Sequence, residues 1–191
     1  MTRKLKAFLG IAGLVLLIAV AMFAYNAFAG RVGMTDLLVL SEERVTWGDE
    51  RQRAPDFAMI DWDGNPLRFY DIVADGKPVV LNFWASWCPA CRNEKPGFEK
   101  VYRDRGGEVR FVMLGLADGV RETVETGRRY IEEGGFTLPV YFDTLREGAL
   151  AYGIRFLPTT VFIDGDGYVA TFAQGMVDEE SLRRAIDFML P

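Results

Sequence analysis

The chain has 191 residues, half of them apolar and a quarter charged, which suits one folded domain with a short extension and excludes a disordered polymer. Arg3, Lys4 and Lys6 precede the first acid, Asp36; beyond residue 30 there are 19 basic and 27 acidic residues, a net charge of -8 that opposes binding to nucleic acid. With no histidine, Ser-His-Asp and Cys-His catalysis are excluded and transition-metal sites lack ligands; two cysteines are too few for a disulfide scaffold.

Residues 7–25 (AFLGIAGLVLLIAVAMFAY) carry no charge. At 1.5 Å per residue a helix over them spans about 28 Å, close to the hydrocarbon thickness of a bilayer. The basic flank stays in the cytoplasm, so the rest of the chain is exported. Two readings compete: a retained anchor, which the length favours, and a cleaved signal peptide, for which Ala27-Phe28-Ala29 before Gly30 supplies a site. Residues 31–53 read as a polar tether, within which the short apolar run Leu37–Leu40 is either a turn of helix or a packed segment.

From Ala54 onward strands and helices alternate. Phe57–Trp62 is a candidate strand closed by Asp63-Gly64-Asn65, with Leu67–Phe69 as its return. Asp75-Gly76-Lys77-Pro78 is a second turn. Val79–Trp84 (VVLNFW) is a continuous run of β formers, the pattern of a strand buried on both faces. A helix is expected from Pro89 to Asp104, then a buried strand over Val109–Leu116 and a helix over Arg121–Glu133. Leu138–Phe142 reads as a short strand and Glu147–Tyr152 as a short helix. Thr160–Ile163 and Tyr168–Phe172 form a hairpin, and Asp178–Met189 is a closing helix with Asp178 as N-cap. This order gives an α/β sandwich with a mixed sheet.

The chemistry concentrates at Cys88-Pro89-Ala90-Cys91, directly after a buried strand and at a helix start. Thiols at i and i+3 on one helical turn lie within disulfide reach. Free N–H groups and the positive dipole end stabilise a thiolate at Cys88, and Pro89 suits the first helical position. Cys91, one turn in, should be more buried. A disulfide over so short a loop adds little stability, and a zinc site needs about four ligands, so the pair reads as a thiol–disulfide exchange centre.

VVLNFWASWCPAC resembles the active-site segment of thioredoxin-fold proteins, in the TlpA/ResA-like branch of membrane-anchored, extracytoplasmic thiol–disulfide oxidoreductases. APDFAMIDWDGNPL resembles that branch's N-terminal hairpin, GVRETVETGRRYIEEGGFTLPVYFD its extra helix and strand, and RFLPTTVFIDGDGYV the segment with the fold's cis-proline. The resemblance implies a thioredoxin fold, a mixed sheet flanked by helices, with an N-terminal hairpin and a central α/β insertion, preceded by one transmembrane helix. The organisation is then 1–30 anchor or signal sequence, 31–53 linker and 54–191 thioredoxin-like domain. It implies a single-pass cell-membrane protein that reduces exported proteins, for example in cytochrome c maturation. Exported protein thiols or disulfides are its substrates and a membrane electron donor its partner. Neither cofactor nor metal is required.

Residue by residue, the resemblance makes Cys88 the nucleophile and Cys91 the resolving thiol of a redox-active disulfide. Trp87 becomes a substrate contact beside the motif, against the alternative that it packs the edge of the core. Pro158 becomes a cis-proline that turns the Leu157 backbone toward a bound peptide. The alternative is an ordinary trans proline opening a strand. Glu94, three residues after Cys91, matches an acid near the dithiol in ResA-like proteins and, if buried, exchanges protons with Cys91. Its alternative is a solvated helix-face acid paired with Lys95 or Arg92. Asn82 stands where thioredoxins themselves carry a buried Asp. Three rivals are a peroxiredoxin-like peroxidase, a non-catalytic copper-handling protein on the same fold, and a redox-inert scaffold that keeps its cysteines only for packing. Ala85 stands where the first needs a threonine, and the second lacks its histidine ligand.

Overall fold

The computed structural model describes Gly13, residues 16–20, Met22 and residues 52–190. The described N-terminal residues are helical and exposed. Apart from them, the transmembrane helix expected over 7–25 lies outside the described residues, as do the linker up to Arg51 and the run Leu37–Leu40. No helix among the described residues is long and apolar enough to cross a membrane.

The domain runs β1 (Ala58–Ile60), β2 (Pro66–Arg68), α1 (Phe69–Val73), β3 (Val79–Trp84), α2 (Pro89–Arg105), β4 (Arg110–Gly115), α3 (Val124–Glu133), β5 (Val140–Phe142), α4 (Glu147–Ala151), β6 (Thr159–Ile163), β7 (Val169–Gln174) and α5 (Glu179–Met189). One seven-stranded mixed sheet has the order β2-β1-β5-β4-β3-β6-β7. β3, β4 and β5 are parallel, and β6 lies antiparallel to both β3 and β7. This is the thioredoxin-like α/β fold. Arg53 bridges Tyr168, and the Val169 amide donates to the Gln52 carbonyl at 2.9 Å, so β7 gains a short extra partner.

Every residue of β3 is buried, because helices or loops cover both faces. Its side chains alternate. Val79, Leu81 and Phe83 enter a core with Phe57, Phe69, Val112, Leu114 and Val161. Phe57 stacks on Phe69 with centroids 5.1 Å apart. Each ring so buried contributes about 1.5–3 kcal/mol by leaving water. On the other face Asn82 and Trp84 lie beneath α2, which packs against α5.

Two boundaries differ from expectation for local reasons. Phe69 does not end a strand; it opens α1, where the Asp71 carboxylate accepts the Arg68 amide at 2.8 Å and turns the chain into a helix. α3 begins at Val124 and not at Arg121. The Asp118 side chain accepts the amides of Val120, Arg121 and Glu122, and this loop holds back the helix until Thr123 caps it.

Candidate active site

β3 ends at Trp84, and the chain turns through Ala85, Ser86 and Trp87. The Cys88 amide donates to the Ala85 carbonyl at 3.2 Å. Cys88 is the extended N-cap of α2 with Pro89 in the first turn, and the Arg92 amide closes that turn on the Cys88 carbonyl at 3.1 Å. Cys88 and Cys91 form a disulfide with Cα atoms 5.3 Å apart. The Cys91 amide donates to Cys88 Sγ at 3.2 Å, so one free donor of the helix end points at this sulfur. Cys88 is 4% exposed and Cys91 fully buried, the order of access that the sequence suggests. Trp87 stands outside the motif at 40% exposure, with the Arg121 guanidinium 3.6 Å from its ring centroid.

β6 runs antiparallel to β3 with Thr159 opposite Phe83. That register places Pro158 at the end of the sheet where α2 begins. The Leu157–Pro158 bond is cis. Pro158 is buried, Leu157 half-buried, and the Gly175 amide donates to the Pro158 carbonyl at 2.8 Å.

Glu94 is 3% exposed and ion-paired with neither Arg92 nor Lys95, so the solvated-acid alternative does not describe it. Its carboxylate accepts from Asn82 Nδ2 at 2.9 Å and from the Val177 amide at 3.0 Å. Asn82 Nδ2 also donates to Thr160 Oγ1 at 3.0 Å. Burial pushes Glu94 up to about 7, against the opposing effects of these amides and of Lys95. Lys95 is fully buried, with Nζ 4.2 Å from the Trp84 ring centroid and no hydrogen-bond partner among the described residues. Burial lowers its pKa, opposed by the Glu94 charge.

A second buried acid escaped the sequence reading. Glu122 Oε2 accepts the Ser86 amide at 3.0 Å and the Ser86 hydroxyl at 2.7 Å, two residues before Cys88. Glu122 is fully buried, and burial raises its pKa. It ties the α3 approach to the loop that carries the cysteines. A glutamate ahead of a helix reads as solvated; only Ser86, a polar residue between buried Ala85 and the dithiol, hints at a partner.

The arrangement performs dithiol–disulfide chemistry: a sulfur at a helix end, a second sulfur beneath it, and two carboxylates behind the reactive loop. Ala85 is buried and brings no hydroxyl near Cys88. Among the described residues, no three histidine, cysteine or carboxylate side chains converge as metal ligands.

Residues 51–172 match the AhpC/TSA family. The chain is 33% identical over 141 residues to the thiol–disulfide oxidoreductase ResA of Geobacillus thermodenitrificans (strain NG80-2), covering 72% of this chain and 76% of the relative. It is 30% identical over 182 residues to ResA of Bacillus subtilis (strain 168), covering 93% and 89%. Among solved structures, a putative thiol:disulfide interchange protein DsbE from Chlorobium tepidum superposes with a TM-score of 0.65 at 27% identity, over 75% of this chain and 99% of that one.

Proposed function

Because the chain belongs to the AhpC/TSA family and is a thiol–disulfide oxidoreductase of the ResA kind, we propose that it works outside the cytoplasm as a reductant of exported proteins, apocytochrome c among them. The Cys88 thiolate attacks a client disulfide and forms a mixed disulfide, and the client's first thiol leaves. Cys91 then attacks Cys88 Sγ, releases the second client thiol and closes the protein disulfide. A membrane electron donor restores the dithiol. Trp87, the Leu157 backbone and Pro158 form the client's seat at the mouth of the site. Glu94 takes up or delivers the proton of Cys91.

The observation that carries the reducing direction is the pair of buried carboxylates, Glu94 and Glu122, close to the dithiol in the fold. Negative charge there opposes a thiolate and so disfavours the reduced form. A strong oxidant needs the opposite, a stabilised reduced form. Assay of the full chain in detergent tests the activity: it should accelerate reduction of insulin disulfides by dithiothreitol, and a rate equal to that of dithiothreitol alone would refute it.

The Bacillus subtilis relative matches 93% of the chain, so the match extends beyond the domain into the N-terminal segment; the charge-free length of residues 7–25 favours a retained anchor over 1–30, followed by a linker to residue 53. Intact mass of the protein from the membrane fraction tests this; a product beginning at Gly30 and found free of membrane would overturn it.

Glu94→Gln and Glu122→Gln each remove a charge and keep the shape. Each should lower the Cys88 pKa, read from the pH dependence of alkylation of the reduced protein. For Glu94, whose own pKa lies at about 7, the difference from the parent should widen above pH 7, where the parent carboxylate is ionised. Superimposable titration curves would remove both acids from the mechanism.

A further inference from the structure

Most basic side chains far from the disulfide pair with carboxylates, although Arg53 there lies over Tyr70 and Tyr168 and Lys77 donates to the Gly107 carbonyl. Lys100, Arg103 and Arg105 in the later part of α2, Arg110 at the start of β4, and Arg183 and Arg184 in α5 all pair with carboxylates. At the other end of the sheet, where the disulfide lies, Arg92, Arg121 and Arg155 are exposed and have no carboxylate within 4.0 Å among the described residues. Arg92 follows Cys91 directly and lies 5.1 Å from the Tyr130 ring centroid. Arg121 stacks on Trp87. Arg155 lies two residues before Leu157.

Of the acids near this end, two are buried and two hold backbone amides; Asp118 is also within charge range of Arg121, and Glu125 is exposed in the first turn of α3. Glu94 and Glu122 are buried, Asp118 holds three backbone amides of its own loop, and Asp178 caps α5 through the Ser181 amide. Between the arginines stand exposed apolar side chains: Trp87, Phe156 at 65% exposure, and Met176 beside Gly175, the residue bonded to Pro158. A chain with a net charge of -8 beyond residue 30 thus presents unpaired cations around its reactive sulfurs. Rim charges of this kind steer encounter and select partners.

We infer that the preferred client is an extended polypeptide whose cysteines are flanked by acidic and apolar residues. The inference rests on the proposed reading of the protein as a reductant. The electrons come from the dithiol: its two sulfurs lose two electrons and become a disulfide, while the client disulfide gains them and leaves as two thiols.

Two synthetic peptides test it, each with one internal disulfide and the same apolar residues, flanked in one by Asp and Glu and in the other by Lys and Arg. Rates with the reduced full chain in detergent are divided by the rates with dithiothreitol, which removes intrinsic differences between the disulfides. The acidic peptide should react about fivefold faster at low salt, the factor that one ion contact at about 4 Å gives in water. The preference should collapse at about 0.5 M salt, where charges are screened within a few ångströms. Arg155→Gln and Arg121→Gln together should erase it while the dithiothreitol-normalised rate with an uncharged peptide stays level. Equal rates, or a faster basic peptide, would overturn the inference and leave the reductase reading standing. Reaction with neither peptide would overturn both.

Discussion

Cys88→Ser is expected to reduce disulfide exchange to the uncatalysed background, a fall of at least about a thousandfold, because no other thiol reaches the surface. Cys91 is fully buried beneath Cys88 and cannot meet a client disulfide in its place. Cys91→Ser should behave differently. The N-cap thiol and the backbone amide of residue 91 that faces it survive, so attack still occurs, but nothing resolves the adduct. Mixed disulfides with client proteins should accumulate and be visible on non-reducing gels, and disappear on reduction. If both single variants kept full insulin-reducing activity, the chemistry would not lie in this pair.

Lys95→Met should stabilise the domain by about 1–3 kcal/mol at pH 7, because it replaces an ammonium buried without a hydrogen bond by an apolar side chain of similar volume. The ammonium of Lys95 is cut off from solvent and has no hydrogen-bond partner among the described residues; it lies over the Trp84 ring, and the Glu94 charge acts on it. A desolvated cation–π contact supplies about 2 kcal/mol, less than the several kcal/mol that desolvation of an ammonium costs. The sign with pH follows from linkage. The folded-state pKa of Lys95 is lowered by burial, so between that value and the ordinary lysine range the unfolded chain binds more protons, and parent stability rises with pH. The advantage of Lys95→Met is therefore full at and below neutral pH and shrinks toward pH 10. Urea unfolding of the globular domain at pH 6, 7 and 9 checks both the size and the trend. A variant less stable than the parent at pH 6 would show that the ammonium is satisfied in the fold.

The residues legible in the sequence are those whose roles are set by near neighbours. VVLNFW announces a doubly buried strand, and the cysteines after it meet the N-terminal end of α2; both features lie within fifteen residues. Pro158 became legible only through the family resemblance, since its place beside the dithiol is set by the antiparallel register of β6 on β3. Glu94 stayed ambiguous because its burial depends on Asn82, twelve residues away, and on Val177, 83 residues away. Lys95 was weighed as a solvated partner for Glu94, as charged neighbours on a helix usually are. Instead the two diverge around the helix, Glu94 onto Asn82 and Lys95 onto Trp84, the alternate residues of one β3 face. Glu122 was invisible because its partner, Ser86, is 36 residues away across α2 and β4.

The reducing direction is the central claim, and the reduction potential of the Cys88–Cys91 couple tests it most directly. The reduced and oxidised proteins would be equilibrated against glutathione or dithiothreitol buffers and quantified by mass after alkylation. Buried carboxylates that oppose the thiolate predict a potential below about -200 mV, in the range of glutaredoxins and thioredoxin. A potential near about -120 mV, the value of a strong oxidant whose reduced form is stabilised, would contradict the account.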